Sequence, residues 1–385
     1  MTDSTFITNT LIDLVAINSV NPQLEEGGKG EAAIGDYIYH KLQSFGFESS
    51  IEPIAPGRVN VIGKWKGQGN GKSLIINAHM DTVGVNGMSE PFSPKIVEGK
   101  LFGRGAYDMK GSIAAMLGMA KAIAKNQTDL SGDLILTFVA DEEYESVGTQ
   151  QLLRNVKADA CIVTEPTDLQ ICLGHRGFGV YEITTEGKIA HGGQHHIGID
   201  ANLHMGLVLN ELNTLSKVLT RKKHPLCGEA SLHVPLIKGG QSLFIYSGKC
   251  TVQVERRTIP GEEEKEVYHE IDKILNRLSS SDPNFKASMK QLIWRNPYEI
   301  SNDADIVKSL RQQMKGSNPT DFIGHTWWED SALFAKAGVE TVIIGPKGGG
   351  IHEPIEWVDL ESVCALASIL YDTTLDFCQL TQIKD

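Results

Sequence analysis

Four unbroken apolar runs constrain this chain most: "SLIINA" (73–78), "DLILTFVA" (133–140), "ACIVT" (160–164) and "TVIIGP" (341–346). A half-exposed strand alternates apolar and polar residues, whereas a continuously apolar strand must be covered on both faces. The stretch "GSIAAMLGMAKAIAK" (111–125) between the first two reads as a helix. Residues 5–48 also read as helical, with Phe6, Leu11, Leu14 and Val15, then Ile34, Ile38 and Leu42, at helical spacing. Apolar strands separated by helices predict an α/β domain on a mixed, largely parallel sheet. From about Gly177 to Trp294 the character changes: strand-like segments at 179–187, 229–237, 249–257 and 285–294 are interrupted by helical stretches near 200–218 and 262–279. That order predicts a ferredoxin-like α+β domain (177–293) inserted into the larger α/β domain (1–176 and 294–385). "KGQGNGK" (66–72) and "PKGGG" (346–350) read as loops.

Two domains are also what 385 residues suggest. A formal net charge of −12 argues against nucleic acid or an anionic membrane as partner. No apolar run approaches the roughly 18 residues a spanning helix needs. "MTDSTFITNT" lacks the basic start and apolar centre of a signal peptide. The 6 cysteines are scattered with no CxxC pair, so neither a disulfide framework nor a thiolate metal site is suggested, and a reduced cytoplasm fits.

In an open α/β sheet ligands bind beyond the carboxyl ends of the strands. Here "SLIINA" leads to His79 and Asp81, "DLILTFVA" to Asp141, Glu142 and Glu143, "ACIVT" to Glu165, and "TVIIGP", through glycines, to His352 and Glu353. "GRGAYDMKG" (103–111) delivers Asp108 just ahead of a helix. Singly, each has a bland reading: a packed histidine, a helix N-terminal acid, a turn residue, a solvated loop. Together, acids and imidazoles recur at one edge, and only Arg104 and Lys110 lie nearby in sequence to neutralise them. Carboxylates this close must take up protons or find a cation, which predicts a metal centre facing Asp141, Glu142 and Glu143. Imidazole and carboxylate without thiolate suit Zn²⁺, Co²⁺ or Mn²⁺. The donors exceed what one ion needs, so two ions about 3.5–4 Å apart are expected. Asp108, Glu143 and Glu165, with a hydroxide, balance two divalent charges, which leaves Glu142 free as a general base.

"HMDTV", "GRGAYDMKG", "DEEYES", "TEPT", "HRGFG", "GKIAHGG", "RRTIPG" and "GGGIHEP", in that order over residues 79–354, resemble the di-zinc metallohydrolase family of acetylornithine deacetylase, succinyl-diaminopimelate desuccinylase, aminoacylase and glutamate carboxypeptidase. The resemblance implies that His79 and Glu165 hold one metal, Glu143 and His352 the other, and that Asp108 bridges them. It implies Glu142 as general base and acid, Asp81 as the residue orienting His79, and a cis peptide at Asp108–Met109. In the inserted domain it implies that His191 reaches a neighbouring subunit's site to stabilise the oxyanion, and that Arg257 binds a substrate carboxylate. Gly348, Gly349 and Gly350 either bring backbone to the substrate or form a flexible loop.

The sequence departs from the family at two places. Phe244, in "GGQSLFIYSG", stands where the family offers an asparagine; Trp327 and Trp328 stand where it has small residues, as core or as a pocket wall. The expected protein is a zinc-dependent hydrolase removing an N-acyl group from an amino acid, acetylornithine deacetylase-like, acting on a small molecule as a cytoplasmic homodimer. A dipeptidase, aminopeptidase or carboxypeptidase is the alternative. A non-hydrolytic scaffold on the same fold is a rival that predicts loss of the base or a ligand, and every such position is filled.

Overall fold

The computed structural model describes residues 2–314 and 322–380. The chain begins with helices α1 (Ser4–Ala16) and α2 (Ala32–Ser44), then strands β1 (Glu48–Ala55) and β2 (Arg58–Trp65). Next come β3 (Leu74–His79), the short β4 (Lys95–Val97) and β5 (Lys100–Phe102), and α3 (Gly111–Lys125). β6 (Leu134–Val139), α4 (Val147–Leu152), β7 (Ala160–Val163) and β8 (Cys172–His175) follow. The middle of the chain supplies β9 (Gly177–Glu186), α5 (Ala201–Leu219), the small pair β10 (Lys223–His224) and β11 (Gly228–Glu229), then β12 (Ser231–Gly239) and β13 (Lys249–Thr258). It ends with α6 (Glu264–Ser281), β14 (Lys286–Arg295) and β15 (Tyr298–Glu299). The last stretch holds α7 (Asp305–Gln313), β16 (Ile323–His325), α8 (Ser331–Lys336), β17 (Glu340–Ile343), β18 (Gly348–Gly349), β19 (Trp357–Asp359) and α9 (Leu360–Gln379).

The chain divides into two compact units: one of Met1–Leu173, Ile300–Ile323 and Glu329–Asp385, the other of Gly174–Glu299 and Gly324–Trp328. In the first, the sheet runs β1-β2-β6-β3-β7-β17. Its centre, β6-β3-β7-β17, is parallel, and the hairpin β1-β2 joins β6 antiparallel, so the sheet is mixed with a parallel core. Every residue of β3, β6 and β7 is buried, which is why their sequences do not alternate. Ile75, Ile135, Val139, Cys161 and Val163 pack with Leu152 of α4 and Phe334 of α8 in one core. The opposite pleat, with Leu74, Ile76, Leu136 and Ile162, is equally buried, and α3 and α9 pack on each other and on β3. Side-chain caps start the long helices: Asp3 accepts from the Phe6 amide at 3.0 Å for α1, and Asp359 from the Ser362 amide at 2.7 Å for α9.

The second unit is a four-stranded antiparallel sheet ordered β12-β13-β9-β14, with α5 and α6 packed on it, a ferredoxin-like arrangement. Its core gathers Tyr181, Ile183, Val252 and Val254 from the strands with Met205, Val208, Val267 and Ile271 from the helices. β12 is an edge strand on which Leu236 and Ile237 are exposed, and Leu203 and Leu207 of α5 are exposed as well.

Two local expectations differ, and one hairpin was not anticipated. The helical stretch 5–48 is two helices, broken by residues 17–31, where Asn21–Pro22 and the glycines 27, 28 and 30 cannot continue a helix. The β1-β2 hairpin had no apolar run to mark it, because β1 is largely exposed. "PKGGG" is not wholly loop: Gly348–Gly349 pairs with β19 in a second sheet, β18-β19-β5-β4.

Candidate metal centre

Parallel pairing brings the acids together. β3 lies between β6 and β7, with His79 opposite Val139 and Asn77 opposite Val163, so the three strands end at one edge. His79, the turn after Val139 and Glu165 therefore emerge side by side. Asp108 arrives on the kinked segment Ala106–Lys110, whose backbone is extended rather than helical at Asp108 and whose Asp108–Met109 peptide is cis. His352 arrives on the loop after β18, at φ +60.

Two three-donor groups result: His79, Asp108 and Glu165, and Asp108, Glu143 and His352, the donor atoms of each within 4.8 Å of one another. His79 Nε2 lies 3.0 Å from Asp108 Oδ1 and 3.6 Å from Glu165 Oε1. His352 Nε2 lies 3.3 Å from Asp108 Oδ2 and 3.1 Å from Glu143 Oε2. Asp108 thus turns one oxygen to each group.

Electrostatics favour a cation here. Burial, then the fields of neighbouring acids, pushes the carboxyls of Glu142 and Glu165 well above the ordinary range, and that of Glu143 upward. Burial opposes a charge on His79, yet its hydrogen bond to Asp108 and the charges of Glu165, Asp108 and Glu142 hold it well above the usual imidazole value. Hydrogen bonds to Asp108 and Glu143 raise His352 to about 10. Burial works against Asp108 ionising, but its two histidine partners hold its pKa below the usual carboxylate range. Among the described residues, Glu143 Oε1 is buried without a hydrogen-bond partner. An orphaned carboxylate oxygen, a carboxylate shared by two donor groups, and donors that are all imidazole or carboxylate fit a pair of divalent ions.

Asp81 is fully buried in this cluster. Its backbone carbonyl lies 2.9 Å from His79 Nδ1, while its carboxylate lies 3.7 Å away. That carboxylate accepts instead from the amides of Glu142 at 3.1 Å and Glu143 at 3.3 Å. Glu356, which sequence reasoning missed, supports the other side. It accepts from Arg104 Nη1 at 2.6 Å and from the amides of Gly105, Tyr107 and Asp108 at 2.9, 2.9 and 3.0 Å.

The two basic residues nearest the acids in sequence are engaged elsewhere. Arg104 is committed to Glu356, and Lys110 donates to the Ile17 carbonyl at 2.7 Å, with burial pulling its pKa down to about 7. Asp141 does not join either donor group; it pairs with Arg58 of β2 at 2.9 Å.

His191 and Arg257 belong to the second unit. His191 is exposed and accepts from the Gly193 amide at 3.2 Å. Arg257 pairs with Glu255 and stacks on Phe178, 4.9 Å from the ring centre. Phe244 is exposed. Trp327 stacks on His325, and Trp328 meets His175 and Phe178 edge-on. In the first unit, Gly349 faces Trp357 across β18-β19; Gly350, at φ +79, has no room for a side chain, since a Cβ would sit 1.8 Å from the Ile355 carbonyl.

The model of peptidase family M20/M25/M40 matches residues 75–376. The chain belongs to this family. Among curated relatives, it is 29% identical over 381 residues to N-formyl-4-amino-5-aminomethyl-2-methylpyrimidine deformylase of Bacillus subtilis, covering 90% of this chain and 89% of that protein. It is 25% identical over 384 residues to the acetylornithine deacetylase of Myxococcus xanthus, covering 96% and 97%. Among solved structures, a tripeptidase from Staphylococcus aureus superposes with TM-score 0.80 at 18% identity over 98% of this chain and 99% of that one, a likeness of fold. As an M20 member the chain is an amide-hydrolysing enzyme.

Proposed function

We propose that this enzyme is a two-metal amidohydrolase that removes an N-acyl group from an amino acid. The observation that supports the reading is the division of Asp108 between two donor groups, one oxygen each. On this reading His79 and Glu165 hold one ion, Glu143 and His352 the other, and Asp108 both; zinc is the expected metal, and cobalt or manganese suits the same donors. When bound, the ions supply Lewis-acid activation of the amide carbonyl and of a water molecule.

This chain's residues do the rest. Glu142 takes the proton from the attacking water and returns it to the leaving nitrogen as the C–N bond breaks, yielding a carboxylate and an amine. Asp81 holds the Glu142 and Glu143 amides, so it orients the base as well as His79. His191 donates to the developing oxyanion in the site of a second copy. Arg257 pairs with the substrate carboxylate, and Gly349 and Gly350 let substrate approach backbone. The exposed Leu203, Leu207, Leu236 and Ile237 of the second unit support a homodimer formed through that unit. Among the described residues no helix is long and apolar enough to cross a membrane, and all 6 cysteines are free. The free thiols are the basis for proposing a cytoplasmic location.

The names of the curated relatives, a deformylase and a deacetylase, favour a deacylase. A dipeptidase, aminopeptidase or carboxypeptidase would use the same groups and is the second reading. The deciding experiment is amine release from N-acetyl, N-formyl and N-succinyl amino acids alongside dipeptides, with Zn²⁺ or Co²⁺ added and a chelator control. Chelator-sensitive turnover of the acyl amino acids is the expected result. Turnover of dipeptides alone would move the enzyme to the peptidases, and chelator-insensitive turnover would overturn the metal reading.

A further inference from the structure

The turn that carries Glu142 and Glu143 rests on a buried ionic network built around one cation. Arg58 on β2 donates to Glu31 through Nε at 2.5 Å and Nη2 at 2.6 Å, and through Nη2 to Asp141 Oδ1 at 2.9 Å. Asn21 Nδ2 ties Asp141 Oδ1, at 2.9 Å, to Asp81 Oδ2, at 2.8 Å. All five side chains are buried.

These carboxylates hold the turn by its backbone. The Asp141 amide donates to Glu31 Oε1 at 3.2 Å, and those of Glu142 and Glu143 donate to Asp81. The Glu145 and Val147 amides donate to Asp141 Oδ2 at 3.2 and 3.4 Å, and the Tyr144 and Ser146 amides to the Asp141 carbonyl at 3.3 and 2.6 Å. Every backbone N–H from Asp141 to Val147 is therefore taken by Glu31, Asp81 or Asp141. The arrangement sets Asp141 at φ +70, which a non-glycine residue adopts only when its surroundings impose it. Without Arg58, the buried carboxylates of Glu31 and Asp141 would lose the cation that joins them, and the anchor of the turn would be the first to move.

We propose that Arg58 is a positioning residue for the Glu142–Glu143 turn: by clamping Asp141 against Glu31 it sets the Glu143 half of the two-ion centre and aims Glu142. This rests on the two-metal reading above. The clamp acts first on the turn: His79 and Glu165 stand at the ends of β3 and β7, and it reaches His79 only indirectly, through Asn21 and Asp81.

The test is calorimetric titration of metal-free protein with Zn²⁺, with kcat and KM measured on the best substrate of the panel, for wild type, Arg58→Met, Arg58→Lys and Asp141→Asn. Asp141→Asn keeps an oxygen for the Glu145 and Val147 amides while breaking the ion pair, so it carries the test if Arg58→Met does not fold. The expected result is one Zn²⁺ bound as in wild type and the second weakened about 10–100-fold, the usual effect of losing a support behind a ligand. kcat falls with KM nearly unchanged, and Arg58→Lys recovers part of both losses. Wild-type titration in the variants would overturn the clamp. So would equal weakening of both sites in step with lost thermal stability, since that marks a merely structural role. If wild type itself fails to take two ions, the two-metal reading falls, an outcome distinct from failure of the clamp alone.

Discussion

Replacing Glu356 by glutamine tests how the Asp108 turn is held. The wild-type carboxylate receives four donors, with Arg104 and Gly105 on Oε2 and Tyr107 and Asp108 on Oε1. In Glu356→Gln the amide oxygen can keep the Tyr107 and Asp108 amides, but the NH₂ then faces Arg104 and Gly105, donor against donor. One charge-assisted bond and one backbone bond are lost, and the Arg104 guanidinium, only 2% exposed, is left without its counter-ion. Breaking a buried pair from one side costs about 3–5 kcal/mol, more than the bonds of a surface pair would. Urea unfolding of the metal-free protein should show a loss of that size. Arg104→Met alone should cost less, since Glu356 keeps its three amide donors. The double variant should then be more stable than the sum of the single losses implies by at least about 2 kcal/mol. A loss below about 1 kcal/mol for Glu356→Gln, or strict additivity, would refute the view that one carboxylate supports both the arginine and the turn.

Two further outcomes follow from the site. Glu142→Gln should lower kcat by about a hundredfold to ten-thousandfold while the Zn²⁺ stoichiometry of the purified protein is unchanged; retained turnover would remove Glu142 as the base. His352, raised from 6.5 to about 10 by Asp108 and Glu143, favours folding of the metal-free protein through its protonated form. That contribution is fully present below about 6.5 and is lost as the pH rises through about 10. Zn²⁺ uptake must displace the same proton, so calorimetry in buffers of different ionisation enthalpy should show proton release near neutrality, and its absence would contradict His352 as a ligand.

Much of this architecture is legible in the sequence because burial leaves a plain mark. β3, β6 and β7 are covered on both faces, so their apolar runs name them, and the acids and histidine that follow each run meet because parallel neighbours end at the same edge. What stayed hidden is the support. Arg58 lies far from Asp141 in sequence, on a hairpin whose outer strand is mostly exposed, so nothing near "DEE" announced its cation. Arg104 and Lys110 lie close to the acids in sequence yet serve Glu356 and the Ile17 carbonyl, because chain proximity does not determine which buried charge a side chain meets. Glu356 was invisible for a related reason. An acid four residues beyond His352 looks like any loop residue until its carboxylate is seen closing four hydrogen bonds.

The donors of the centre are drawn from stretches as far apart as His79 and His352, with the whole second unit threaded between Glu165 and His352. On a ribosome, a chain displaying His79, Asp108, Glu143 and Glu165 would have made most of its acidic edge long before the last histidine emerged. The half-built centre is thus a crowd of carboxylates without its final imidazole during most of synthesis. On the two-ion reading, the second donor group is complete only after the second unit has been made. A truncated chain ending before β18 would keep His79, Asp108 and Glu165 but lack His352. The second group would then be short of a donor while the first kept all three.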